Sequence, residues 1–192
     1  MTAMAEAARR LEVEIKVPAG DREGFRRKLR DQGARPLAPA HFESNDLYDR
    51  GDGELANRGC ALRLRRTEGG STLTFKGPAR FEAGIKMREE RETTVSDPEE
   101  MDRILVAVGF ERRFRYEKQR EEWELEGCAI AVDETPIGDF AEIEGEPPEI
   151  RRVLQRLGLD FSQAILDSYV ELYRRRRRQD PSLPKDMVFK VR

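Results

Sequence analysis

Apolar and polar residues alternate with a period of two along several stretches of this chain, and the earliest stretch sets the pattern. In Leu11-Glu12-Val13-Glu14-Ile15-Lys16-Val17 four apolar side chains fall on one parity, and two carboxylates and an ammonium on the other. Successive residues of a strand point to opposite faces, so Glu12, Glu14 and Lys16 project together. The same alternation predicts strands at 61–65, 71–76, 85–93, 116–125, 128–132 and 141–145. Between them the spacing turns helical. Phe25 and Leu29, with Gly33 as a stop, predict a helix within 18–33. Asp97 and Pro98 open a second one, in which Met101, Ile104, Leu105 and Val108 recur at helical spacing before Gly109. A third covers 148–157, stopped at Gly158, and a fourth 162–176. Residues 34–41, with Pro36 and Pro39, read as a connection into the second strand, and 49–53 as a turn. Residues 1–9 read as a flexible lead, and 10–192 as a single domain without internal repeats.

A strand with one solvated face also alternates, so the order of the charges along the chain matters more than their presence. Arg63 and Arg65 share a parity; so do Lys86, Arg88, Glu90 and Glu92, and so do Lys118, Arg120 and Glu122. Thr72, Thr74 and Lys76 do the same, Asp133 ends the apolar run 128–132, and Glu142 and Glu144 alternate with Ala141, Ile143 and Gly145. Acids (Glu12, Glu14, Glu90, Glu92, Asp133, Glu142, Glu144) gather in the first, middle and last strands. Bases (Arg63, Arg65, Lys76, Lys86, Arg88, Lys118, Arg120) gather on the strands between. Such segregation points to a shared ligand. Two carboxylates about 7 Å apart on one strand repel unless a cation or buried donors lie between them. If the strands close with their charged face inward, a polyanion with divalent cations satisfies both sets, and the apolar parity faces out toward covering helices. Residues 87–92 are charged on both parities, so that strand should meet solvent on its outer side.

Composition adjusts this picture without redirecting it. Of 192 residues, 39% are charged and 38% hydrophobic, a polar balance that a charged interior helps explain. Lys plus Arg (36) nearly cancels Asp plus Glu (38), which argues against a nucleic-acid partner. The basic run 174–178 closes a predicted helix, where cations complement the helix dipole. Cys60 and Cys128 stand far apart with no metal-ligand spacing, His41 reads as structural, and no segment has the apolar length of a signal peptide or membrane span. The expectation is a reduced, cytoplasmic protein, with a homodimer possible through an apolar-edged covering helix.

Taken in order, Glu12-x-Glu14-x-Lys16, Asn45-x-x-Tyr48-Asp49, Arg63-x-Arg65, Lys76-Gly77, Arg88-x-Glu90-x-Glu92, Lys118-x-Arg120, Asp133, Gly138-x-Phe140-x-Glu142-x-Glu144 and Ser168-Tyr169 resemble the CYTH family, the triphosphate tunnel metalloenzymes. The resemblance runs from Glu12 to Tyr173. It implies an α+β protein built on a closed eight-stranded antiparallel β-barrel, with covering helices and a charged lumen that binds triphosphate-containing small molecules with Mg2+ or Mn2+. Family members include thiamine triphosphatases, inorganic tripolyphosphatases, RNA triphosphatases and class IV adenylate cyclases. Triphosphate chemistry needs its non-bridging oxygens neutralised and an in-line nucleophile. Lys16, Arg63, Arg65, Lys76, Arg88, Lys118 and Arg120 are therefore expected on the triphosphate. Glu12, Glu14, Glu90, Glu92, Asp133, Glu142 and Glu144 are expected around the cations, with Glu12, Glu14, Lys16 and Lys76 as the catalytic group. Class IV cyclases resemble one another in a His-Phe ahead of Glu-x-Glu-x-Lys; here Ala8-Arg9-Arg10 stands before Leu11, and the His-Phe at 41–42 lies elsewhere. Trp123 opposes Lys118 and Arg120 in parity, which suits a core residue better than a ring clamp. The expected activity is hydrolysis of a triphosphate, with adenylate cyclase as the alternative and a non-catalytic polyphosphate-binding module as the second.

Overall fold

The computed structural model describes residues 10–190, so the expected lead at 1–9 lies outside the described residues. Nine strands build one antiparallel sheet: β1 (Arg10–Pro18), β2 (Arg35–Asp49), β3 (Ala61–Thr67), β4 (Gly70–Lys76), β5 (Arg80–Glu82), β6 (Ile85–Val95), β7 (Glu111–Leu125), β8 (Cys128–Thr135) and β9 (Gly138–Glu144). Their order is β1-β9-β8-β7-β2-β3-β4-β6-β5, and a further pairing of β1 with β6 closes eight of them into a barrel. Short β5 continues the edge that β4 presents to β6. It turns back through Ala83 and Gly84, both at positive φ (47° and 79°), as a two-residue hairpin demands. Gly84 is also fixed by contact, since a Cβ there would lie 2.4 Å from the ring of Phe161.

Five helices flank the barrel: α1 (Arg22–Asp31), α2 (Glu54–Asn57), α3 (Pro98–Ala107), α4 (Pro147–Arg156) and α5 (Tyr169–Gln179). The main apolar core lies outside the barrel wall. Val13, Ile15 and Val17 of β1, Ile143 of β9, Ile130 and Val132 of β8 and Trp123 of β7 are buried against Phe25 and Leu29 of α1 and Ile150, Val153 and Leu154 of α4. A second outer cluster joins Tyr48, Leu64 and Val95 to Leu105 of α3. The outer side of β6 is left to solvent at Arg91 and Thr93, as its doubly charged sequence predicted. No helix among the described residues is long and apolar enough to cross a membrane.

Three boundaries differ from the sequence reading, each for a local reason. The stretch 34–41 is not a connection: from Arg35 it already belongs to β2, paired with β7 through register shifts between Pro36 and Ala38 and between Ala38 and His41. Bulges are where a strand tolerates prolines, which cannot donate to the ladder. His41 accordingly lies in a strand. The turn at 49–53 runs into α2, whose first turn is held by Asp49, accepting from the amides of Arg50, Leu55 and Ala56. The last helix begins at Tyr169 rather than near 162, because Ile165 pairs as a bridge with Lys16 and Ser168 forms a capping box with Glu171.

Asp46 points outward from β2 and is 1% exposed. Arg115 grips it through two bonds of 2.7 and 2.9 Å, and Arg66 donates at 2.6 Å. Burial alone would push this carboxyl up, but Arg115, Arg66 and Arg112 hold it below its ordinary value of 3.8. A depressed folded pKa stabilises above the unfolded value and loses that contribution as pH falls through the folded one. Asp46→Asn should therefore cost on the order of 3 kcal/mol in urea unfolding at pH 7. The gap to the wild type should close as pH is lowered below about 3.8; a gap constant with pH would show that the carboxylate charge is not what Asp46 contributes.

Candidate active site in the barrel lumen

The inward parity of every barrel strand carries the polar residues, and their contacts leap over intervening strands. Lys76 of β4 donates to Glu12 of β1 at 2.6 Å across β6, and lies 2.9 Å from Glu90. Arg120 of β7 donates to Glu142 of β9 at 2.5 Å across β8. Arg63 of β3 reaches the hydroxyl of Tyr116 on β7 at 3.4 Å across β2, and approaches Glu90 and Glu92 of β6 at 3.9 and 3.8 Å across β4. Contacts that skip a strand can form only inside the closed wall. Lys86 donates to Glu14 at 2.6 Å, and although burial would lower its pKa, Glu14 raises it. Arg88 instead turns to the backbone, donating twice to the carbonyl of Gly77 at 3.0 and 2.6 Å.

Asp133 is the most fully bonded acid of this interior. It is 0% exposed and accepts two bonds of 2.7 Å from Arg120, one of 3.1 Å from Lys118 and one of 2.7 Å from the hydroxyl of Tyr169. Glu142 shares Arg120 and lies 3.4 Å from Lys16; burial would raise its carboxyl, yet Lys16, Lys118 and Arg120 hold it well below the usual range. Tyr169 comes from α5, with Lys16 Nζ 4.2 Å and Lys118 Nζ 5.5 Å from its ring centre. Together with Phe114, Tyr116, Phe140, Tyr173 and Met187 it forms an apolar cluster that includes inward positions of β7 and β9.

Opposite β1, four strands away around the ring in either direction, stands β2. Its Glu43 and Asn45 face inward, 1% and 0% exposed. Asn45 is in register with Arg65, and Arg65 with Thr72. Both amide atoms of Asn45, Nε of Arg63 and of Arg65, Oγ1 of Thr72, Oε2 of Glu43 and Oε2 of Glu12 are buried without a hydrogen-bond partner. Buried polar atoms are almost always bonded. The exceptions on Glu43, Asn45, Arg63, Arg65 and Thr72 lie together on β2, β3 and β4, with that of Glu12 opposite on β1, an arrangement that suits a ligand-binding wall better than a structural core.

The residues expected from the sequence to serve as acids and bases thus lie on the inward parity, Glu92 at an exposed position with its side chain 40% accessible, but the acids do not form one cluster. Among the described residues, no three His, Cys, Asp or Glu side chains converge as a ready-made metal centre. Glu90, Glu92, Asp133 and Glu142 are engaged with Lys76, Arg63 and Thr74, Lys118 and Arg120, and Lys16. Glu12, Glu14 and Glu144 offer a better fit to a hard divalent cation. Glu14 and Glu144 are direct cross-strand partners that bring two carboxylates together beside Glu12; Lys86 bonds Glu14 and Lys76 bonds Glu12, whose second oxygen is buried and free of bonds. Sequence reasoning missed Glu43 and Tyr116 and gave Asn45 and Tyr169 no role. The alternation Glu43, Asn45, Leu47 within the expected second strand was available as a signal.

With the geometry in hand, comparison with known proteins is decisive for the family. The CYTH domain model matches residues 10–163, and the chain belongs to that family. Among solved structures it is similar to a candidate adenylate cyclase from Vibrio parahaemolyticus, at 21% identity and TM-score 0.74, covering 86% of this chain and 98% of that one. It is also similar to the PH1819 protein of Pyrococcus horikoshii OT3, at 28% identity and TM-score 0.73, covering 86% and 99%. A third is HpAC1 of Hippeastrum, a candidate adenylyl cyclase described as having a dominant triphosphatase activity, at 20% identity and TM-score 0.66, covering 85% and 95%. No match is found among curated proteins.

The bond from Tyr169 to Asp133 ties α5 to the barrel interior. Tyr169→Phe keeps the ring and deletes the bond, and should cost about 2 kcal/mol in urea unfolding, since a charged acceptor loses a buried donor. An unchanged midpoint would mean that Lys118 and Arg120 satisfy Asp133 without it.

Proposed function

We propose that this protein is a divalent-metal-dependent triphosphatase that removes the terminal phosphate of inorganic tripolyphosphate or of an organic triphosphate inside the barrel. The observation that carries the reading is the set of buried, unbonded donors on Asn45, Arg63, Arg65 and Thr72, standing across the lumen from the carboxylates of β1 and β9. A polyphosphate brings the acceptors those donors lack and the negative charge that a cation beside the carboxylates would share.

In this mechanism Arg63 and Arg65 take non-bridging oxygens through their guanidinium forks, which match phosphate geometry. Lys118 and Arg120, already steered by Asp133, and Lys16 neutralise charge that builds on the transferred group. Lys76 and Lys86 are held by Glu12 and Glu14, and turn to phosphate oxygens when those carboxylates are engaged elsewhere. Arg88, anchored on the Gly77 carbonyl, keeps the β4–β5 edge in place and adds its charge at that end. Glu12, Glu14 and Glu144 would hold Mg2+ or Mn2+, which supplies charge neutralisation and a lower pKa for the attacking water. Glu90, Glu92 and Glu142 position the bases they bond. The triphosphatase activity described for HpAC1 supports hydrolysis, as does the absence of a His-Phe before Glu12. The candidate cyclases of the same fold keep cyclic AMP formation as the competing outcome.

The test is a product assay with tripolyphosphate, thiamine triphosphate and ATP, each with magnesium or manganese. Phosphate release without cyclic AMP is expected. Arg65→Ala should lower kcat/KM by roughly 100-fold, and Glu14→Gln should abolish turnover while leaving tripolyphosphate bound. Cyclic AMP and pyrophosphate from ATP would replace the triphosphatase with a cyclase; binding of all three substrates without any product would leave a polyphosphate-binding module.

A further inference from the structure

Glu43 is the buried acid that the proposed chemistry does not use, and its surroundings are unlike those of the other lumen acids. Two cations flank it: Lys118 Nζ lies 3.5 Å from Oε2 and Arg65 Nη1 3.5 Å from Oε1, with the ring nitrogen Nε2 of His41 3.6 Å from Oε1. None of these is a short contact, and Oε2 has no hydrogen-bond partner. Asp133, by contrast, takes four bonds of 2.7 to 3.1 Å, two of them from Arg120 and one from the same Lys118. Burial would favour the protonated form of Glu43, but Lys118, Arg120, Arg65 and Arg63 hold the carboxyl well below its ordinary range, so it is charged. The two acids therefore divide the work. Asp133 consumes donors and fixes them, whereas Glu43 balances their charge and leaves their N–H groups to bond elsewhere.

A divalent cation is an implausible guest for Glu43, because the groups around it are positive. An anion entering among the same cations meets it as a competitor. We propose that Glu43 is a built-in counter-anion of the polyphosphate subsite, standing in for phosphoryl oxygens between Lys118 and Arg65 and weakening the grip of the lumen on polyphosphate so that product can leave. This deepens the triphosphatase reading and rests on it. Glu43 acts through the cations it balances, which makes it a positioning residue and not a catalytic one. The consequence runs against the usual effect of removing a buried lumen residue: neutralising Glu43 should tighten anion binding. A unit charge about 5 Å from a bound phosphate, at the effective dielectric constant of a protein interior, is worth at least about a tenfold change in affinity.

The experiment is calorimetric titration of sodium tripolyphosphate into wild type and Glu43→Gln with EDTA present, so that neither metal nor turnover contributes. Thermal unfolding is followed in parallel by circular dichroism. Glu43→Gln is expected to bind roughly tenfold more tightly, and its Tm to rise more on adding tripolyphosphate than that of the wild type. Should the variant be unfolded alone, tripolyphosphate is expected to restore its strand signal, since the ligand supplies the missing negative charge. Equal or weaker binding by the variant, an equal or smaller rise in Tm, or failure of tripolyphosphate to refold it would overturn the role of Glu43 and leave the triphosphatase reading standing. A wild type that binds no tripolyphosphate either with EDTA or with added magnesium would overturn both.

Discussion

The structure depends on one constraint: a barrel whose interior is charged must satisfy those charges across its own lumen. Ionised groups away from water are tolerated only when paired and hydrogen-bonded. The pairs Lys76–Glu12, Lys86–Glu14 and Arg120–Glu142 do this at 2.5 to 2.6 Å, linking strands that are not all neighbours. The main apolar core is then displaced outward, leaving only the aromatic cluster around Tyr116 and Tyr169 on the inner side. The usual arrangement of a small barrel, apolar inside and polar outside, is reversed, and Val13, Ile15 and Ile143 find their cover in α1 and α4 rather than in each other. A helix layer on β1, β9, β8 and β7 is thus a consequence of the lumen's chemistry.

That reversal is also why much of the fold was legible in the sequence. A strand with one buried charged face and one buried apolar face alternates strictly, so Glu12 to Lys16 and Glu142 to Glu144 showed their direction without any structure. Trp123 could be assigned to the core by parity alone, and it is buried there. What escaped detection lay where another rule overrode the period of two. Pro36 and Pro39 disguised the first half of β2 because bulges absorb them. Ile165 sits in a segment with helical composition, yet its backbone pairs with Lys16, a long-range contact that no local pattern encodes. The meeting of Tyr169 with Asp133, 36 positions apart, is equally invisible to periodicity.

The division of the acids was the least legible feature, because it depends on distances. Alternation alone treats every inward carboxylate alike, and family resemblance placed seven of them around metal with Glu12, Glu14, Glu142 and Glu144 foremost. In the folded lumen their surroundings separate them. Asp133 and Glu142 share Arg120 and lie beside Tyr169 or Lys16; Glu12 and Glu14 are each bonded by one lysine, and Glu14 faces Glu144 across β1 and β9. A residue type in register defines a candidate, and the partners it meets across the barrel define what it can do.

The same ion pairs link the two halves of the proposed site. While Lys86 is bonded to Glu14 and Lys76 to Glu12, both lysines are spent on carboxylates. On the proposed reading, a cation that takes those carboxylates releases the lysines toward phosphate, and a phosphate that draws the lysines away exposes the carboxylates to a cation. Each ligand therefore raises the affinity for the other by the same factor, as thermodynamic linkage requires. On that reading a cation arriving alone must displace Lys76 and Lys86 from the carboxylates it would take.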